Sequence, residues 1–414
     1  MGWNSWDAYG TAVREDQVKA NADAMARDLA AFGYQYVVVD IQWYQPTAQG
    51  HDYIAGAPLA MDEYGRLVPA VNKFPSAANG AGFKPLADYV HARGLKFGIH
   101  VMRGIPRQAV RANTPIPGTP YRAADVADTT NGCVWNPDMW GVDVRKRGGQ
   151  AYYDAIAELY ASWGVDFLKA DDMGSHRFQP LEIHALRRAL DRTGRSIVLS
   201  ISPGPAPIDS ATFLARHAEM WRISDDFWDD WQLVRRQFDY SRDWAPFIGK
   251  RHAWPDADML PLGRLRLTDS VGRGTPSRLT AAEQRTVMTL WSIVRSPLII
   301  GGDLPTLDAP ALALLTNPEV LELNQRGRAP RQVLEQPGLR VWASGVPGSD
   351  ARYLAVFNLD SLPRRVDLAW EIVGVAAGAQ EVRDLWDRHT LGTADRLRVD
   401  LAAHASVLYR VGRR

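Results

Sequence analysis

The chain is short of cysteine, lysine, long apolar runs and net charge. Its single cysteine, Cys133, excludes an intramolecular disulfide and leaves the redox compartment open. Only seven of the 48 basic residues are lysines, so Lys169, set between apolar neighbours, asks for a reason. No apolar run approaches the ~20 residues of a membrane-spanning helix, and no membrane is expected as a partner. A formal charge of +1 over 414 residues lacks the basic footprint of a nucleic-acid binder. The chain opens MGWNSW, not with a basic stretch and an apolar run. That start leads to the expectation of a cytoplasmic protein, or a secreted one if an upstream leader is missing. What the chain has in quantity is tryptophan, 15 residues.

The length allows two or three domains at roughly 100–200 residues each. Short apolar runs at 36–41, 95–101, 165–171, 196–202, 220–224 and 297–300 alternate with longer amphipathic stretches. Near-continuous apolarity over so few residues suits buried parallel strands. Between them, residues 16–32 and 150–163 carry helical spacing and are followed by Gly33 and Gly164, and Thr280 to Glu283 forms a capping box. Weaker strands at 2–6 and 251–254 bring the count to eight. Eight βα units predict a (β/α)8 barrel, placed at residues 1–316. No GxGxxG follows the first strand, which weakens a dinucleotide-binding sheet. From about 331 onward the pattern turns to short alternating segments at 339–343, 353–358, 365–368, 381–384 and 406–411. These predict an antiparallel β-sandwich, placed at residues 328–414.

Active sites of such barrels sit at the C-terminal ends of the strands, so polar residues closing apolar strands are the candidates. Lys169 and Asp171 share strand parity, and a cation beside Asp171 would keep it ionised. In the segment Trp221 to Trp231, Arg222, Ser224 and Asp226 share parity if the strand runs that far; Asp226 is the candidate second carboxylate. Asp40 and His100 close two further strands. Asp256 and Asp258 read as supports for the site or as loop caps. Two carboxylates among exposed tryptophans point to glycoside chemistry: one acid protonates the leaving oxygen, and flat rings receive the C–H faces of sugars. No metal-ligand spacing is present.

These motifs together resemble glycoside hydrolase family 27, the α-galactosidase and α-N-acetylgalactosaminidase family. MGWNSWD is similar to its first strand, KADD to its nucleophile motif and WRISDD to its acid/base motif. WPDADMLPLG and LWSIVRSPLIIGGDL match its seventh and eighth strand regions. The resemblance implies a retaining, exo-acting α-glycosidase, with α-galactosides as the leading substrates and no metal or organic cofactor. Asp171 would be the nucleophile and Asp226 the acid/base. Trp6 would stack under the sugar, Asp40 and Lys169 would hold its hydroxyls, and Arg222 would face the 2-position. Three departures bear on specificity. Ile41 stands where α-galactosidases carry a second Asp, His100 where a Tyr is common, and Ser202-Pro-Gly where a Glu-Trp often faces the 2-hydroxyl. His100 and Ser202 are therefore counted with the substrate-binding residues. The same mechanism on α-N-acetylgalactosaminide, β-L-arabinopyranoside or α-glucan stays open, as do a non-catalytic sugar-binding barrel and homo-oligomerisation.

Overall fold

The computed structural model describes residues 1–175, 177–268 and 274–413. Eight short strands occur in the barrel region: β1 (Gly2–Asn4), β2 (Tyr36–Val39), β3 (Lys96–Met102), β4 (Phe167–Asp171), β5 (Val198–Ile201), β6 (Met220–Arg222), β7 (Trp254–Asp256) and β8 (Ile299–Ile300). The expected strands are all present, but most are shorter than their apolar runs. Two shifts matter. β6 stops at Arg222, so alternation along it does not reach Asp226. β7 starts at Trp254, because Lys250–His252 forms a 3-10 turn in which Arg251 and His252 take positive φ.

The described chain forms two compact units, each drawn from three stretches. The first comprises Met1–Asp225, Gly263–Pro276 and Ile299–Thr306. Within it, seven parallel strands follow the order β6-β5-β4-β3-β2-β1-β8. Their register sets His100 beside Lys169, Met102 beside Asp171, and Lys169 beside Ser200. The strands are joined by helices α1 (Glu15–Asp28), α2 (Lys84–His91), α3 (Arg147–Ser162), α4 (Pro180–Arg192) and α5 (Ala211–His217). α3 shows why the chain turns where it does. Its apolar stripe is buried through Tyr152, Tyr153, Ile156 and Tyr160. Gly164 then takes φ 84°, a conformation that costs glycine little, and the chain enters β4.

The second unit comprises Asp226–Leu262, Ser277–Leu298 and Leu307–Arg414. It holds β7 and the helices α6 (Trp231–Trp244), α7 (Ala281–Ile293), α8 (Ala309–Leu315) and α9 (Pro318–Arg326). Asp230 caps α6 by accepting from the Gln232 N–H, and the Thr280/Glu283 capping box opens α7 as expected. The rest is antiparallel: β9 (Arg328–Gln336), β10 (Leu339–Gly345), β11 (Arg352–Asn358), β12 (Arg364–Ala369), β13 (Gln380–Asp384), β14 (His389–Ala394), β15 (Arg396–Leu401) and β16 (Ser406–Gly412). A six-stranded sheet, β9-β10-β11-β16-β13-β14, and a separate pair, β12-β15, enclose a core of Val341, Leu354, Val356, Trp370, Leu397 and Val411. α7 is tied to this sandwich by polar contacts. Thr286 donates to the His404 carbonyl, and Thr289 meets both Trp386 Nε1 and Ser406 Oγ. Among the described residues, no helix is long and apolar enough to cross a membrane.

Candidate active site

In the first unit, the ends of β2, β3 and β4 bring Asp40, His100, Lys169 and Asp171 together. Asp171 is 8% exposed and His100 is fully buried. The His100 Nε2 lies 3.1 Å from Asp171 Oδ2, and the Asp172 N–H donates to Asp171 Oδ1 at 2.9 Å. An ionised carboxylate only accepts, so Nε2 carries the proton. Burial alone would push the Asp171 carboxyl up. The His100 hydrogen bond and charge, then the Lys169 charge, outweigh it and bring the pKa down to about 2.

The expected pairing of Lys169 with Asp171 needs correction. The two do share a strand face, but the Lys169 ammonium is bound to Asp40 Oδ2 at 2.8 Å. Its charge also lowers the Asp171 carboxyl. Asp40 is 1% exposed and also accepts from Asn4 Nδ2 at 2.7 Å. Burial raises its pKa, while Lys169 and then His100 lower it, leaving it below the usual carboxylate range. The site thus holds two buried carboxylates, both held below the usual range by Lys169 and His100.

Two further residues hold this cluster in place. Asn4, in the GWNSW segment, bridges from Asp40 to the Trp6 N–H through its Oδ1. Trp43 holds β3 by donating from Nε1 to the His100 carbonyl at 2.8 Å. Behind Asp172, Arg103 bonds the Asp172 carboxylate and carbonyl, Glu182 and the Asn131 carbonyl. Tyr153 donates to Glu182 at 2.6 Å. This buried network fixes the turn that follows Asp171, where Asp172 takes φ 60°. Cys133 is buried, and burial pushes its thiol up to about 12, far from a reactive thiolate.

The remaining expected residues are placed as follows. Trp6 opens a one-turn helix after β1 and is 8% exposed. Ile41 is 2% exposed. Ser202 follows β5, and its carbonyl accepts from the Met173 and Gly174 N–H groups. The segment beyond it is hemmed in by main chain. A Cβ on Gly204 would lie 2.2 Å from the Ser224 carbonyl oxygen, so only glycine fits there. Arg222 is 2% exposed and donates to the Ser224 carbonyl at 3.2 Å.

In the second unit Asp226 is exposed. The main chain after it is fixed from β7: Asp258 Oδ2 accepts from the Phe227 N–H at 2.8 Å, and Asp256 Oδ1 from the Asp258 N–H at 3.0 Å. Trp291 Nε1 donates to the Asp258 carbonyl. Asp256 and Asp258 are therefore braces on the backbone next to Asp226. Asp229 pairs with Arg278.

Comparison with known proteins gives this geometry a family. Residues 4–149 and 144–326 match the family described as "Alpha galactosidase A", and 336–411 the "Alpha galactosidase C-terminal beta sandwich domain". Alpha-galactosidase 3 of Arabidopsis thaliana is 30% identical over 99% of this chain and 80% of its own length. The alpha-N-acetylgalactosaminidase of Gallus gallus is 28% identical over 93% of this chain and 85% of its own. Among solved structures, a family 27 β-L-arabinopyranosidase from Geobacillus stearothermophilus is 51% identical. That match covers 100% of this chain and 95% of that one, with a TM-score of 0.96. The fold is accordingly a (β/α)8 barrel followed by a C-terminal β-sandwich. With its barrel, sandwich and motifs all matched, the chain belongs to glycoside hydrolase family 27 and is a retaining glycosidase of the α-galactosidase family.

Proposed function

We propose that Asp171 is the nucleophile and Asp226 the acid/base of a double displacement on galacto-configured pyranosides, with α-galactosides as substrates. The observation that carries this reading is the buried Asp171 carboxylate, held ionised between the His100 and Asp172 N–H donors. In the first step a carboxylate oxygen of Asp171 bonds the anomeric carbon as the glycosidic C–O bond breaks. Asp226 gives its proton to the departing oxygen. In the second step Asp226 takes a proton from water, whose oxygen displaces Asp171 from the same carbon. Two inversions give net retention. Asp40 and Lys169 bind ring hydroxyls, Arg222 and the Ser202 segment face the 2-position, and Trp6 stacks on the ring. His100 acts through Asp171 as well as lining the pocket. Residues 1–316 supply the catalytic barrel and 328–414 the sandwich.

One observation favours a second glycone. Ile41 is buried and apolar where α-galactosidases have a carboxylate. β-L-Arabinopyranose has the galacto ring without the exocyclic hydroxymethyl, so it brings one hydroxyl fewer to a pocket in which an isoleucine has replaced a carboxylate. The 51% identical Geobacillus stearothermophilus structure is named for that activity. Comparing kcat/KM for p-nitrophenyl α-D-galactopyranoside and p-nitrophenyl β-L-arabinopyranoside decides between the glycones. Turnover of neither, or an inverted product anomer by NMR, overturns the proposal.

A further inference from the structure

Two histidines meet on neighbouring helices of the first unit, away from the strand ends that build the active site. His184 lies on α4, and His217 closes α5. The His184 Nδ1 is 3.0 Å from the His217 Nε2. His184 is exposed and His217 half-buried, so the pair is open to solvent. Which nitrogen carries a proton follows from the partners. The His217 Nδ1 lies 2.8 Å from the Phe213 carbonyl, and a carbonyl only accepts. Nδ1 is therefore the N–H, and in the neutral ring Nε2 presents its lone pair to His184.

This is how proteins prepare a metal-ligating histidine: one ring nitrogen donates to a backbone carbonyl, which fixes the tautomer and aims the other nitrogen. Packing holds the same ring in place. Phe213 stacks on His217 with centroids 4.0 Å apart and planes within 23°, and Phe178 meets Phe213 edge-on. His184 needs only a change of tautomer. Its Nδ1 proton, now donated to His217, moves to its own Nε2 with no proton gained or lost, and a second lone pair faces the first. The spacing also fits. Imidazole nitrogens bind zinc at about 2.0–2.1 Å, so two of them roughly 90–110° apart on one ion are about 2.9–3.4 Å from each other. The observed 3.0 Å thus suits a shared metal ion as well as a shared proton. No cluster of three or more His, Cys, Asp and Glu ligands occurs among the described residues. Water must complete the shell, which makes the ion exchangeable.

We propose that His184 and His217 form a two-histidine surface site for a divalent transition metal that prefers imidazole: copper, nickel or zinc. The ion takes the place of the proton between the rings and clamps α4 to α5. α4 joins β4 to β5, and α5 joins β5 to β6, so the clamp ties together the two connections on either side of β5. Magnesium and calcium, which take oxygen ligands, do not bind there.

The test is thermal unfolding of the whole chain with Ni²⁺ or Zn²⁺ against the same chain with excess chelator. The readout is the metal-dependent shift in Tm within each variant, in which any change of basal stability cancels. The wild-type Tm is expected to rise by about 2–4 °C at a metal concentration well above Kd. Mg²⁺ at the same concentration should leave it unchanged. His184→Gln and His217→Gln should each abolish the shift. Calorimetric titration with Ni²⁺ should count one ion per wild-type chain, bound at least tenfold more weakly in either variant. A wild-type chain with neither a metal-dependent shift nor a binding heat overturns the site. A shift that both glutamine variants retain also overturns it, because the metal then sits elsewhere.

Discussion

The two carboxylates assigned to the chemistry live in opposite surroundings. Asp171 is 8% exposed, with a fixed donor on each oxygen and a pKa brought down to about 2. Asp226 is exposed, and what is fixed there is the main chain after it, through Asp258. A nucleophile must stay charged and aimed at one carbon, which burial among donors secures. An acid/base must exchange its proton with water in every cycle, which exposure permits.

The largest test of this contrast is Asp171→Asn. It should remove about 10⁴-fold or more of kcat while the fold is kept, read by steady-state kinetics beside circular dichroism. Asp226→Asn should cost less, about 10²–10⁴-fold, and less still for a fluoride leaving group that needs no proton. Asp258→Ala strips the Phe227 N–H of its acceptor and should lower kcat while costing roughly 1–3 kcal/mol of stability by denaturant titration.

His100→Ala separates the two carboxylates by pH. Losing the imidazole hydrogen bond and charge lets burial lift Asp171 from about 2, so the acidic limb of kcat/KM should move to higher pH. Rescue of that limb by His100→Tyr, which restores a donor, would distinguish positioning from packing. The linkage has a sign. A carboxyl lowered from near 3.9 to about 2 stabilises the fold above pH ~4 and loses that contribution as pH falls toward 2. The variant should therefore be less stable than wild type at neutral pH, with the gap closing in acid. The smallest effect belongs to Thr286→Val in the sandwich contact, about 0.5–1.5 kcal/mol in unfolding with kcat unchanged.

The barrel strands were legible because each is an apolar run closed by a polar residue, and Asp40, His100, Lys169 and Asp171 mark such ends. Their partnerships were not legible. Parity along β4 puts Lys169 and Asp171 on one face, but which charge each meets depends on neighbouring strands. The register that sets His100 beside Lys169 has no expression in a single strand's sequence. Asn4 is hidden for the same reason, since its partner Asp40 lies 36 residues away. In the sandwich, β14 escaped because it is exposed along nearly its whole length and carries no alternation. The strand before Asp256 was misplaced by three residues because Arg251 and His252 adopt left-handed backbone that neither side chain advertises.

The long-range ties of α7 have a consequence for how the protein is made. Thr289 waits for Trp386, 97 residues later, and for Ser406, 117 residues later. A ribosome adding about 5–20 residues per second needs on the order of ten seconds to deliver them. Through that interval α7 exists as nascent chain with its sandwich-facing side uncovered. The last hundred residues act on a helix already synthesised, and a premature stop near residue 400 would strand it.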